Sequence, residues 1–181
     1  MNRELLLRLL QAYKPSPEEA QFKIDTLQFI KNHTNCFERT LEIGHITASA
    51  WLVSKDHSHA LLLHHKKLNR WLQLGGHCDG NPDVVAVAIK EAQEESGIQG
   101  IVPVVVEPAI FDIDIHWIPE HKSVKGHWHY DIRFLLQVIT DEQLVQNNES
   151  NELRWIPKDG AQLPSQEPSV IRMFKKWIDR V

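Results

Sequence analysis

Three carboxylates on one face of a short helix constrain this chain more than any other feature. Between Gly76 and Ile98 it reads Gly76-His-Cys-Asp-Gly-Asn-Pro-Asp-Val-Val-Ala-Val-Ala-Ile-Lys90-Glu91-Ala-Gln-Glu94-Glu95-Ser-Gly97-Ile98. Glu91, Glu94 and Glu95 stand at i, i+3 and i+4, so their side chains emerge on one side. Like charges at that spacing destabilise an isolated helix by roughly 0.2–0.5 kcal/mol per pair. A cation held between them removes the repulsion, and hard oxygen ligands of this kind suit Mg²⁺ or Mn²⁺. The rest of the stretch has helical logic of its own. Asn81 is placed to cap, Pro82 suits the first helical position, and Asp83 complements the positive end of the dipole. Val85, Ala88, Ile89 and Ala92 form an apolar stripe to set against a sheet, and Gly97 ends the helix in the left-handed conformation.

The same stretch resembles the signature box of the Nudix hydrolases. That box ends in Arg-Glu-hydrophobic-x-Glu-Glu-x-Gly-hydrophobic, preceded at fixed spacing by a glycine and a further glutamate. Gly76, Glu91, Ala92, Glu94, Glu95, Gly97 and Ile98 fall on their places. Pro82 stands where the first glutamate belongs, and Lys90 where the arginine belongs. In the family those two are often tied by an ion pair that orients the next glutamate, so the departures read as one change. Asp83 is the nearest replacement partner for Lys90. Leu74 also replaces the proline that usually precedes the glycine pair.

The resemblance implies a Nudix-type α/β/α sandwich with a mixed β-sheet. It implies Mg²⁺- or Mn²⁺-dependent cleavage of a nucleoside diphosphate linked to another moiety, the substrate being a small-molecule nucleotide or nucleotide-sugar. Glu91, Glu94 and Glu95 become metal ligands, with the carbonyl of Gly75 beside them. The general base is a box glutamate, Glu91 or Glu94, or a carboxylate from a later loop. Glu149 and Glu152 are the later candidates, because family members commonly carry an acidic loop leading into a strand with Trp, here Trp155. The competing reading is a catalytically weak or inactive Nudix-like module that binds a nucleotide as a regulator; Pro82 and Lys90 are its argument.

At 181 residues, 42% hydrophobic and 24% charged, the chain suits one soluble domain with a full core. Its net charge of −4 gives no reason to expect general nucleic-acid binding or attraction to an acidic membrane. No apolar run approaches the ~20 residues of a membrane helix. The opening Met-Asn-Arg-Glu-Leu-Leu-Leu-Arg is amphipathic and does not read as a signal peptide. Cys36 and Cys78, far apart and without ligand spacing, fit a reducing, cytoplasmic setting.

Residues 1–40 read as an N-terminal helical extension to a Nudix domain over 41–181. Leu5, Leu6, Leu9 and Leu10 mark one helix; Ser16, Pro17 and Glu19 open a second with a capping box, whose buried stripe is Ala20, Ile24 and Leu27. The extension can cover the sheet, form a homodimer contact or shape the pocket. Strands are expected over His45–Val53, Ala60–His64, Trp71–Leu74, Ile101–Val106, Ala109–Trp117 and Trp128–Val138, and a helix over Ser169–Val181. Strands and helices mix without βαβ alternation, which favours the same layered architecture.

Two further segments bear on a ligand. Alternation along His127-Trp-His129-Tyr-Asp131-Ile-Arg133-Phe puts His127, His129, Asp131 and Arg133 on one face, where His127, His129 and Arg133 can grip phosphate oxygens. His-x-His also invites zinc, but no cysteine or second histidine pair at convincing spacing supports it. Lys66, Lys67 and Arg70 gather positive charge just before the glycine pair, with Lys66 and Arg70 the proposed phosphate contacts; the bland alternative is a solvated loop.

Overall fold

The computed structural model describes residues 3–107, 109–121, 124–148 and 150–180. The helices are α1 (Glu4–Ala12), α2 (Ala20–Asn32), α3 (Val84–Ser96) and α4 (Pro168–Ile178). The strands are β1 (Gly44–Val53), β2 (His59–His65), β3 (Arg70–Leu72), β4 (Leu74–His77), β5 (Ile101–Pro103), β6 (Ile110–Ile118), β7 (His127–Val138) and β8 (Ser150–Pro157). All strands join one mixed sheet. Its centre is the parallel pair β1–β7, in register from Gly44↔Trp128 to Val53↔Gln137. The other pairings are antiparallel: β5 and β6 against β7, β4 and β2 against β1, and β3 and β8 against β2.

Strand alternation sorts the central strands between two cores. Ile46, Ala48, Ala50 and Leu52 of β1, with Ile132, Phe134 and Leu136 of β7, pack against α1, α2 and α3. Trp51 and Val53 point the other way, onto Val170, Met173 and Trp177 of α4. Helices therefore cover both sheet faces, the α/β/α arrangement read from the sequence. On the α4 face, His45, Thr47 and Ser49 continue the row begun by Trp51 and Val53, and this polar half of the face borders the site.

Four local expectations shift. The segment around Trp71–Leu74 is two strands, because the chain changes partner at Gln73: β3 pairs with β2, and β4, carrying Gly75 and Gly76, pairs with β1. Of Ile101–Val106 only Ile101–Pro103 stays in the sheet, and Val105 and Val106 are exposed. The strand expected over Ala109–Trp117 runs Ile110–Ile118 and carries a bulge between Ile110 and Asp112. The α2 stripe is rotated: Thr26, Phe29 and Ile30 are buried, whereas Ile24 is exposed. Contacts outside the helix set that rotation. Phe29 stacks on Tyr130 with ring centroids 4.0 Å apart. Glu19, whose carboxylate accepts the Ser16 N–H as its capping box requires, also accepts the Ile113 N–H of β6 at 3.0 Å. The extension thus covers the sheet and satisfies the edge of β6, which would otherwise invite strand addition. Among the described residues no helix is long and apolar enough to cross a membrane.

Candidate active site

Helix α3 begins two residues later than its sequence suggests. Asp83 is the N-cap, accepting the Ala86 N–H at 3.0 Å, while Asn81 accepts the Asp83 N–H at 3.0 Å one turn earlier. Asp83 is therefore committed to the helix terminus and is not the partner of Lys90. Lys90 instead reaches forward to Glu91 (3.2 Å) and Glu94 (2.9 Å). Gly97 closes the helix at φ 79°, a left-handed position that glycine adopts without strain.

The three box glutamates differ in surroundings. Glu95 is buried, and its carboxylate accepts the Gly75 N–H at 2.8 Å, which ties α3 to β4. Glu91 packs so closely on Gly76 that a Cβ there would overlap its carboxylate, so the glycine sets how near helix and strand can come. Burial, only partly offset by Lys90, raises the Glu91 pKa above the ordinary carboxylate value. Glu94 is largely exposed.

All three open on one cleft of ≈ 620 Å³, whose lining includes Gly75 and Gly76. Arg39 and Lys67 bring positive charge to its wall, and Arg39 is paired with Asp79. The lining also includes His77, His116, His129 and Asp131. Asp131 is buried and accepts hydrogen bonds from Thr47 (3.0 Å) and Ser49 (2.8 Å).

The other sequence candidates divide. His129 lines the cleft. His127 is buried behind it, with Nδ1 on the Lys125 carbonyl at 2.8 Å and Nε2 at 3.2 Å from His129 Nε2. Arg133 does not face the cleft: it is 1% exposed and bonded to Asp131 (2.7 Å), Asp112 (3.1 Å) and Asp114 (3.3 Å). Alternation placed it on the right face, but the buried aspartates of β6 claim its guanidinium. Arg172 and Lys176 of α4 complete that network on Asp112, at 2.8 Å and 2.9 Å. Of the basic cluster, Lys67 rather than Lys66 lines the cleft, and Arg70 pairs with Glu167 at 3.2 Å. Glu152 lies within β8, not in a loop, and its carboxylate is held by Arg154 at 2.6 Å. Glu149 lies outside the described residues. Sequence reasoning missed Arg39 and Asn147, which line the cleft from segments without a motif. His45 and His77, expected near the site, approach His129 as well: one ring nitrogen of each lies within 4.8 Å of the others, which no spacing in the sequence announces.

The NUDIX domain model matches residues 44–177. The chain belongs to the NUDIX family. NUDIX membership makes it a hydrolase of phosphoric anhydride bonds, in a family that generally uses divalent metal ions. Among solved structures it is similar to the C. elegans Ap4A hydrolase in a binary complex, at 16% identity and TM-score 0.55, covering 73% of this chain and 93% of that one. It is similar to the E. coli dihydroneopterin triphosphate pyrophosphohydrolase, at 13% identity and TM-score 0.55, covering 75% and 96%. A NUDIX-family hydrolase from Clostridium perfringens aligns at 24% identity and TM-score 0.52, covering 74% and 95%. At these identities the likeness speaks for the NUDIX fold alone. Among curated proteins none matches in sequence.

Proposed function

We propose that this NUDIX hydrolase is a Mg²⁺- or Mn²⁺-dependent pyrophosphohydrolase that cleaves a nucleoside diphosphate linked to another moiety. The observation that carries the reading is the opening of Glu91, Glu94 and Glu95, with Gly75, on a single cleft. The donor set fits a hard cation: carboxylate oxygens and a carbonyl, one carboxylate sharing its buried surroundings with a glycine backbone. Burial disfavours the charged form of Glu91, and a divalent cation restores it. When bound, the metal would neutralise diphosphate charge and acidify a water.

The chain's own residues supply the rest. The Glu95–Gly75 bond keeps α3 and β4 in fixed relation, so the ligands need no reorganisation. Lys67, Arg39 and His129 line the same cleft, a position that suits contacts to substrate phosphate oxygens. Glu91 and Glu94 are the box carboxylates on the cleft that can accept the proton of the attacking water, with Glu149 and Glu152 the candidates outside the box. A small-molecule nucleotide or nucleotide-sugar fits the size of the cleft. The Ap4A hydrolase and the dihydroneopterin triphosphate pyrophosphohydrolase that share the fold are consistent with such a substrate. Two buried thiols, Cys36 and Cys78, suit the reducing cytoplasm.

One observation favours the alternative, a nucleotide-binding module with weak or no turnover: Lys90 holds Glu91 and Glu94 with its ammonium, where a metal would compete. Turnover of nucleoside triphosphates, ADP-ribose, dinucleoside polyphosphates and nucleotide sugars with Mg²⁺ or Mn²⁺ separates the two. Hydrolysis at a phosphoric anhydride, abolished by chelation, is the expected result. Tight binding of one of these ligands without turnover would install the alternative.

A further inference from the structure

Histidines from β1, β4, β6 and β7 gather at one corner of the cleft, beside the glutamates but not among them. His45 and His129 lie with ring centroids 4.8 Å apart, and His77 is 5.1 Å from each. One ligating nitrogen from each of the three falls within 4.8 Å of the others. The register explains the convergence: His45 is opposite His129 across the parallel β1–β7 pair, and His77 is opposite Thr47 two residues along β1. Side chains two apart on a strand share a face.

His45 makes the cluster more than a coincidence of neighbours. It is 2% exposed, and neither ring nitrogen meets a partner at full hydrogen-bond geometry among the described residues, the one backbone group that acts on the ring being the Leu41 carbonyl. A buried polar group normally finds such a partner, so an exception asks for an explanation, an ion among them. Behind the three rings, the Lys125 carbonyl takes the Nδ1 proton of His127, turning an acceptor Nε2 toward His129. Such an outer contact orients a ligating ring.

We propose that His45, His77 and His129 form a metal site separate from the carboxylate site, taking a transition-metal ion of the Zn²⁺ class through three imidazole nitrogens. Imidazole selects Zn²⁺, Cu²⁺, Fe²⁺ or Ni²⁺, where carboxylate selects Mg²⁺. His45 closes the site from the protein side, while His77 and His129 line the cleft. The fourth coordination position therefore faces the substrate, the arrangement of a zinc site with an open position. The inference goes beyond the glutamate chemistry and does not depend on it.

The test uses the full chain without a histidine tag, stripped with a chelator. Zn²⁺ binding is titrated in excess Mg²⁺, for the wild type, His77→Gln, His129→Gln and the double variant Glu91→Gln/Glu95→Gln. The wild type and the glutamate variant should each retain one Zn²⁺ per chain. Each histidine variant should bind it at least ~10–100-fold more weakly, the loss typical of removing even an outer partner. Added Zn²⁺ should raise the melting temperature of the wild type and not of the histidine variants. Three results overturn the site: no Zn²⁺ retained against Mg²⁺; wild-type binding by a histidine variant that melts normally in chelator; or loss of Zn²⁺ in the glutamate variant. Co²⁺ on the wild type decides independently of any variant's folding. A tetrahedral, nitrogen-ligated spectrum supports the site, and an octahedral all-oxygen one overturns it.

Discussion

Two groups of charges stand on neighbouring parts of this molecule, and they are built to opposite ends. Around Arg133, the aspartates Asp112, Asp114 and Asp131 meet Arg133, Arg172 and Lys176 at 2.7–3.3 Å, all of them largely buried. Around α3, Glu91 and Glu94 share one ammonium that is 60% exposed, and Glu95 is held by a backbone N–H. The first group is closed by the chain itself. The second leaves negative charge facing a cleft. Burial with a cation at every carboxylate marks a structural cluster, and carboxylates sharing one exposed cation beside open space mark one that takes a ligand. Sequence alternation cannot tell them apart, since it reports a face and not what meets it.

The comparison breaks most visibly at Arg133. Arg133→Ala takes from Asp131 its one cationic partner among the described residues and removes one from each of Asp112 and Asp114, and breaking such a buried group costs about 3–5 kcal/mol of folding free energy. Denaturant titration measures this directly. A variant that folds like the wild type but has a raised KM would move Arg133 into the substrate site. Next in size is Glu95→Gln, which removes a ligand charge while keeping the side chain's shape. Hydrolysis at saturating substrate and moderate Mg²⁺ should fall about 100-fold or more, with the melting temperature near that of the wild type. Near-normal turnover would count against the metal assignment.

Acid probes the closed cluster through Glu19, which is buried beside Lys176 at 2.5 Å. Burial alone would raise its pKa. Hydrogen bonds from Lys176, Ser16, Tyr13 and the Ile113 backbone outweigh that and hold it at about 2, against 4.5 when unperturbed. A depressed carboxylate gives stability that is complete above the unfolded value and drains away as pH falls toward the folded one. Stability should therefore decline between pH 4.5 and about 2, and Glu19→Gln should flatten that slope in urea midpoints measured against pH. An unchanged slope would remove Glu19 from the account. The smallest effect is expected at Lys90. Lys90→Gln should alter stability by less than about 1 kcal/mol, as for other exposed ion pairs, yet tighten Mg²⁺ binding by releasing Glu91 and Glu94. Weaker Mg²⁺ binding would mean that Lys90 supports the site and does not compete for it.

Much of this was legible from residues alone. The box gave α3, its left-handed end at Gly97 and the three glutamates that share the cleft. Period-two alternation gave β7 and its polar face. What alternation could not give was the content of that face: Arg133 is neutralised by β6, and β6 reaches it through a bulge with no sequence signature. The histidine cluster was hidden for a related reason. Its members come from β1, β4 and β7, so no spacing within a segment announces it. The α2 stripe failed where tertiary contacts at Glu19 and Phe29 overrode local pattern, and Asp83 proved a cap because a carboxylate at a helix start has four amides to satisfy.

The last helix has a temporal meaning. Asp112 is fully buried, and two of its cationic partners, Arg172 and Lys176, lie on α4, near the end of the chain. On a ribosome the strands that bury Asp112 emerge well before the groups that neutralise it. The parallel β1–β7 pair has a long loop to close as well, which slows assembly. Until α4 arrives Asp112 has only Arg133 of β7 as a cationic partner among the described residues, so docking of that helix completes its neutralisation.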